Sequence, residues 1–341
     1  MISIDGSLGE GGGQVLRTAL ALSLLSGQDF QLINIRAKRK KPGLQAKHLE
    51  AVRAATAIGK AEVEGAALGS QSLIFRPNGI HPGRYHWEIG TAGATTLVFQ
   101  TVYLPLSRLG AASNLVITGG THVPWSPCYH YLAMQWLPFM QRIGLEISLS
   151  LEQAGFYPQG GGKISAVIRP IPNILPLTLT ERGALVQIRG ISAVANLDRK
   201  IAERQRNRVL HRLGAKYPLN DLRIVELPSR FKGTLLLLLV EFAQSSACYF
   251  GLGEIGKPAE RVADEAIDAL EEFLATDGAI DQFLADQLLL PLAFAEGCSR
   301  YRTSKVTQHL LTNAEVLKAF LPVKIEVAGE MGAAGMVTIN G

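Results

Sequence analysis

The sequence predicts an α+β fold made of three copies of one unit, with a further domain of strands and helices inserted before the third is complete. Three passages carry the repeat. In each a helical stretch ends and a strand of alternating character follows: Ala57-Ile58-Gly59-Lys60-Ala61-Glu62-Val63, Arg142-Ile143-Gly144-Leu145-Glu146-Ile147, and Phe320-Leu321-Pro322-Val323-Lys324-Ile325-Glu326-Val327. The first two units then close on nearly the same strand, Leu73-Ile74-Phe75-Arg76-Pro77 and Ala166-Val167-Ile168-Arg169-Pro170, and the third closes on Gly335-Met336-Val337-Thr338-Ile339.

Each unit also holds an earlier apolar helix. These are Gln14 to Leu25 after a glycine loop, Ala94 to Leu106 after Gly90-Thr91-Ala92-Gly93, and Ile280 to Phe294 around Ala285-Asp286-Gln287. Leu16, Leu20 and Leu24 recur at helical spacing, so the first helix has a buried stripe and leaves the side chains facing its loop for chemistry. Between the second unit's last strand and the third unit's helix lie about a hundred residues, too many for a loop. Ala184 to Ile188 and Thr234 to Phe242 are strand candidates there, with Ala202 to Leu213 and Ala259 to Leu274 as helices. Boundaries near Thr180 and Thr276 give a discontinuous domain, residues 1–180 and 277–341, around an inserted α/β domain, residues 181–276.

A chain of 341 residues suits this organisation, and its composition is that of a globular protein. The formal charge of +5, from 34 Lys plus Arg against 29 Asp plus Glu, is too mild by itself to indicate a polyanionic partner. Cys128, Cys248 and Cys298 are scattered, which supports neither a disulfide framework nor a zinc site. The first residues read as a strand and lack a leader, and the longest apolar run, Leu235 to Val240, is of strand length. The expectation is a cytoplasmic protein that is neither exported nor membrane-spanning.

The loop Gly9-Glu10-Gly11-Gly12-Gly13 opens onto the first helix, whose leading N–H groups make a natural anion site. It is not a P-loop, since it lacks GxxxxGK[ST]. Glu10 is placed to hold a divalent metal, and Gln14 and Arg17, three apart on one face, are placed to reach a phosphate together. Downstream, Arg36, Lys38, Arg39, Lys40 and Lys41 put five cations into six positions, followed by the Pro42-Gly43 turn, Lys47, His48 and Arg53. Such a run usually forms a solvated face. Here the turn aims it at a helix N-terminus, which favours contact with nucleic-acid phosphates, although no aromatic residues interleave for base stacking.

Gly251-Leu252-Gly253-Glu254-Ile255-Gly256 satisfies GxGxxG, but the following helix runs into another helix where a dinucleotide site needs a parallel strand. A turn with Pro258 in the first turn of the helix explains it locally. Among the histidines, His309 stands out by its polar setting of Thr307, Gln308, Thr312 and Asn313, which suits orientation of its ring. His48 occupies a comparable place in the first unit, and the repeat alone does not choose between them. No GxSxG elbow is present, which weighs against a hydrolase.

Taken in order, GEGGGQVLR, RAKRKKPGL followed by His48, GTAGATTLVFQ, GGTHVPWSP, the GFYPQGGG run, ADQLLLPLA and QHLLTN strongly resemble the RNA 3′-terminal phosphate cyclases over essentially the whole chain. The resemblance implies three βαβαββ-type units, each similar to the C-terminal domain of translation initiation factor three, with an inserted α/β domain of thioredoxin-like topology. It also implies ATP-dependent conversion of an RNA 3′-phosphate to a 2′,3′-cyclic phosphate. His309 would attack the α-phosphate of ATP, pyrophosphate would leave, AMP would pass to the RNA 3′-phosphate, and the adjacent 2′-OH would displace it.

By the same resemblance Glu10 binds the divalent metal, Mg or Mn. Nucleotide contacts fall on Gln14, Gln100, Pro127, Phe283, Asp286 and Gln287, and contacts with phosphate or RNA on Arg17, Arg36, Arg39, Lys47 and His48. Two residues depart from the family pattern: Lys47 stands where glutamine is expected, and Phe283 where tyrosine is expected. Phe283 keeps an aromatic face for adenine and loses a hydroxyl. The alternatives are a non-catalytic ribosome-assembly paralogue, which would lack the nucleophile, and an enolpyruvyl transferase, which would have no use for histidine adenylylation.

Overall fold

A computed structural model describes residues 1–9 and 11–341 of the chain. The first stretch folds as β1 (Ile2–Asp5), α1 (Gly13–Ser26), β2 (Phe30–Ile33), α2 (Ala46–Gly59), β3 (Glu62–Glu64) and β4 (Leu73–Arg76). The next gives β5 (Arg84–Glu88), α3 (Thr95–Ser107) and β6 (Ser113–Gly119). Then α4 (Tyr129–Tyr131) passes through a π-helical turn at Leu132–Trp136 into α5 (Leu137–Arg142), before β7 (Ile147–Gln153) and β8 (Gly162–Ile168). After the short β9 (Thr178–Leu179) come β10 (Leu185–Ala195), α6 (Lys200–Leu213), β11 (Leu219–Glu226), β12 (Gly233–Phe242), β13 (Ser246–Leu252) and α7 (Ala259–Leu274). The chain finishes with α8 (Gln282–Leu292), β14 (Cys298–Thr303), α9 (Gln308–Phe320), β15 (Lys324–Ala328) and β16 (Gly335–Asn340).

Three of the sheets share one plan. Their orders are β1-β2-β4-β3, β5-β6-β8-β7 and β9-β14-β16-β15. In each the first pair is parallel, as a helical crossover requires, and the other two pairs are antiparallel. In the third sheet β9 precedes β10–β13 in the chain, yet it pairs with β14, placing Arg300 opposite Thr178.

The fourth sheet, β11-β10-β12-β13, accounts for the run Leu235 to Val240. Leu235, Leu237 and Leu239 on one face of β12 join the main core, while Leu236, Leu238 and Val240 on the other face join a second cluster with Val262, Ala266, Ile267 and Leu270 of α7. A strand buried on both faces has no polar alternation to keep. Asp264 of α7 receives Arg208 and Arg212 of α6 at 2.8 and 3.0 Å, which aligns the two covering helices.

The GxGxxG stretch is a strand end and a turn. Gly251 lies in β13, where a Cβ would come within 2.1 Å of the Val262 carbonyl oxygen, so close helix-to-strand packing explains that glycine. Pro258 is the residue just outside α7 rather than within its first turn, because its ψ of 148° is extended. The cysteines are free, Cys128 and Cys248 buried and Cys298 exposed. Among the described residues no helix is long and apolar enough to cross a membrane.

Candidate active site

Where α1 begins, Gly9 lies against α9 and Gly13 against α2. Gly9 has φ of 55°, and a Cβ there would fall 2.0 Å from Thr312 Oγ1 of α9. At Gly13 a Cβ would come to 2.6 Å from His48 Nε2 and 3.0 Å from Arg17 Nη1, so glycine lets α1 start against these side chains. The residue before α1, Gly12, offers no side-chain cap, and the first turn holds no acidic residue. Among the described residues, neither the Gly12 position nor the first turn therefore supplies a side chain that offsets the partial positive charge of the leading N–H groups.

Gln14 joins the two ends of the chain. Its Oε1 lies 2.5 Å from His309 Nδ1, and its Nε2 donates to Asp286 Oδ2 at 3.4 Å. An amide oxygen only accepts, so Nδ1 carries the proton and the lone pair of the neutral ring lies on Nε2. Thr312 and Asn313 do not supply this bond, contrary to the expectation from their place in the sequence. The Asn313 amide oxygen accepts from Thr18 Oγ1 at 2.6 Å, its Nδ2 donates to the Asp286 carbonyl at 2.9 Å, and Thr312 accepts from Gln308 at 3.4 Å. These bonds fix α9 against α1 and α8, while Gln14 meets the ring.

Burial raises the Asp286 carboxyl to about 7, a rise that Arg17 and Gln14 oppose. Burial likewise lowers the half-buried Arg17 to about 10, against the pull of Asp286. His48 is buried and held to about 3 by burial, with Arg17, Lys47 and Arg36 adding repulsion. Its Nδ1 accepts the Gln45 N–H at 3.1 Å at the start of α2, so its proton resides on Nε2, on the side of Gly13. His48 is thus a neutral donor, and His309 is the exposed histidine of the pair.

The basic run folds as a bent loop. Arg36, at φ of 55°, donates through Nη1 to the carbonyls of Lys41 and Gly43 at 2.8 and 3.3 Å and so holds the loop closed. Arg39 Nη2 would be 3.6 Å from a Cβ at Gly12, which brings the run to the foot of α1. Burial, then Arg17, Arg36 and Arg39, lower the Lys47 ammonium.

On the other side of α8, Gln100 of α3 donates to Gln287 Oε1 at 2.6 Å, and Gln287 in turn donates to the Phe283 carbonyl at 2.8 Å. Phe283 is exposed, with its ring edge-on to Tyr131 at 6.5 Å and to Tyr249 at 6.3 Å. The Pro127 carbonyl accepts from Thr96 at 2.8 Å, directly before the Cys128 that caps α4. The sequence reading missed the residue that ties these parts together, Asp281. It caps α8 by accepting from the Phe283 and Leu284 N–H groups, and it accepts Tyr131 Oη at 2.8 Å and Gln135 Nε2 at 2.9 Å. The capping position, an Asp ahead of an apolar helix, was its only signal.

Glu10 lies outside the described residues. Among those described, no group of three or more His, Cys, Asp or Glu is arranged to hold a metal ion.

Comparison with known proteins gives the family. The family model for RNA 3′-terminal phosphate cyclase matches residues 8–327. Curated relatives of that name include those of Koribacter versatilis, 41% identical with 98% of this chain and 94% of the relative covered, and of Ralstonia nicotianae, 43% identical with 97% and 95% covered. The Pseudomonas fluorescens relative is 44% identical, with 96% and 94% covered. The chain belongs to the RNA 3′-terminal phosphate cyclase family of enzymes. Among solved structures, the enolpyruvyl transferase NikO from Streptomyces tendae is matched over 99% of this chain and 81% of its own, at 11% identity and a TM-score of 0.24, too low to bear on fold or function.

Proposed function

We propose that the chain uses ATP to convert RNA 3′-phosphate ends to 2′,3′-cyclic phosphates, with His309 as the nucleophile. The carrying observation is His309 itself: an exposed imidazole whose Nδ1 is engaged by Gln14, so that Nε2 holds the lone pair, beside a helix start with no side-chain cap. A phosphate monoester has no good leaving group. Attack of Nε2 on the α-phosphate of ATP expels pyrophosphate, and transfer of AMP to the RNA phosphate makes an anhydride whose AMP can leave. The neighbouring 2′-OH then closes the ring in an intramolecular step that benefits from proximity.

Gln14 orients the nucleophile. Arg17, Arg39, Lys47, the His48 Nε2–H and the start of α1 neutralise phosphate charge, and Arg36 shapes the loop that presents them. Phe283 and Pro127 flank the adenine, with Gln100, Asp286 and Gln287 fixing the floor of the nucleotide site. A divalent cation, Mg or Mn, would be held by Glu10 and the triphosphate oxygens and would offset charge on the departing pyrophosphate. The half-buried Asp286, whose carboxyl burial raises to about 7, fits a site that receives a cation. The three like sheets read as copies of one βαβαββ unit resembling the C-terminal domain of initiation factor three, and residues 181–276 as a separate α/β domain of thioredoxin-like topology.

ATP labelled at the α-phosphorus tests the reading. The chain should acquire an acid-labile, alkali-stable label and pass it to RNA bearing a 3′-phosphate, and His309→Ala should acquire none. Labelling that persists in His309→Ala and disappears in His48→Ala would move the nucleophile to α2. A terminal ribose lacking its 2′-OH should stall at the RNA-to-AMP anhydride, and failure to see that species while AMP transfer proceeds on intact RNA would overturn the order of steps.

A further inference from the structure

The basic run offers phosphate contacts and no aromatic surface, yet three exposed aromatic side chains gather on loops that border the site from the other side. Trp125 is 94% exposed, Tyr157 67% and Phe231 38%. Burial explains none of the three. Trp125 is also the residue after Pro124 in a tight turn, at φ of 64°, a left-handed position that turns of this kind give to glycine or asparagine. A bulky residue at positive φ costs stability, and such strain collects at functional positions.

The loops that carry them are joined. The Thr121 and His122 N–H groups both donate to the Gly155 carbonyl at 2.9 Å, and the His122 and Phe156 rings stack at 5.1 Å. A Cβ at Gly161 would lie 3.0 Å from the Phe231 ring, and one at Gly233 would strike Phe156. This fixes the 121–127, 155–161 and 229–233 loops to one another. The patch continues into the active site, because a Cβ at Gly160 would lie 2.9 Å from Ala92 Cα, and one at Gly93 would lie 3.5 Å from Lys47 Cβ. Exposed Arg230 and Lys232 flank Phe231, so the surface is cationic as well as aromatic.

We propose that Trp125, Tyr157 and Phe231 form a stacking platform for the unpaired bases of single-stranded RNA upstream of the terminal phosphate. The proposal rests on the reading of the site as one that takes an RNA 3′-end. Every base has a π-face, so such a platform is indifferent to sequence, and the cations beside it follow the backbone. The strand would run from the foot of α1, past Lys47 and over the loop at Thr91 to Gly93, and reach the aromatics a few nucleotides from the end.

The test compares 3′-phosphorylated oligonucleotides of two and six nucleotides on the parent chain and on Trp125→Ala and Tyr157→Ala, which remove exposed side chains. Binding is followed by a fluorophore on the 5′ end. The parent should bind the hexamer more tightly than the dinucleotide, and each substitution should cut that advantage by roughly five- to a hundredfold. Trp125 emission in the parent should be quenched by the hexamer and unaffected by the dinucleotide. An unchanged length advantage in both variants overturns the platform. So does a parent that dimerises in light scattering and becomes monomeric on Trp125→Ala, since a second copy would then cover the patch. If the parent does not distinguish 3′-phosphate from 3′-hydroxyl RNA and takes no label from ATP, the reading of the site fails as a whole.

Discussion

His309 stands two residues after the cap of α9 and His48 three residues after the cap of α2, the corresponding helix of the first sheet. One residue is a rotation of about 100°. It turns His48 into the protein and His309 out of it, and Lys47 takes the outward position in α2. If Gln14 serves to orient His309, Gln14→Leu should slow self-adenylylation by about a hundredfold while the KM for ATP moves little. A rise in KM at constant kcat would make Gln14 a nucleotide contact and nothing more. The buried His48 gives a second prediction. Its folded pKa of about 3 lies below the ordinary 6.5, so between those values the unfolded chain holds a proton that the folded chain rejects. Stability should therefore rise with pH across this window, by up to about 1.4 kcal/mol per pH unit for this group. In His48→Gln the slope should fall; burial also depresses His122 and His130, which act in the same direction, and raises Asp281 and Asp286, which act against it. Urea midpoints at pH 4 and 7 decide it, and the same loss in parent and variant would contradict the assignment.

The basic loop and the start of α8 make predictions as elements. Lys38, Lys40 and Lys41 are exposed on a loop that Arg36 closes from within. Neutralising all three should weaken RNA binding and lower the log–log salt slope by about 2, with adenylylation by ATP alone nearly intact. An unaltered slope would mark the run as a solvated face. At α8, Asp281→Ala would strip a helix cap and leave Tyr131 Oη and Gln135 Nε2 without this acceptor. It should destabilise the chain by about 3 kcal/mol or more, measured by urea unfolding. The apolar-faced helices α1, α3 and α7 and the continuous apolar run of β12 were legible in the sequence almost to their ends. The weaker ones were not: β5 and β11 are polar strands at sheet edges, with little apolar alternation to read, and β9 is two residues long in a proline-rich stretch. The site was legible as motifs and not as contacts. Spacing cannot show that Gln14 meets His309, or that Thr18 rather than the histidine engages Asn313, since those pairs are each 295 residues apart.

For the whole molecule, β12 decides how many cooperative units there are. Its leucines face two cores at once, and Gln135 exchanges hydrogen bonds with Ser246 across the junction at 2.7 and 2.8 Å. Residues 181–276 should therefore melt together with the rest in one calorimetric transition, although they read as a domain in the sequence. Two resolved transitions, or hydrogen exchange that opens α6 and α7 far ahead of α1, would show the junction to be weaker than its packing indicates.

The distance along the chain between Gln14 and His309 also sets a timetable for synthesis. At ordinary elongation speeds roughly 15 to 60 s separate the emergence of these two residues from the ribosome. Through that interval the glycine loop has no α9 to clamp it, and β9 waits for a partner in β14 that comes more than a hundred residues later. On the proposed reading, a nascent or prematurely terminated chain would hold the glycine loop and the cationic run without the nucleophile, and would sequester RNA ends without spending ATP on them.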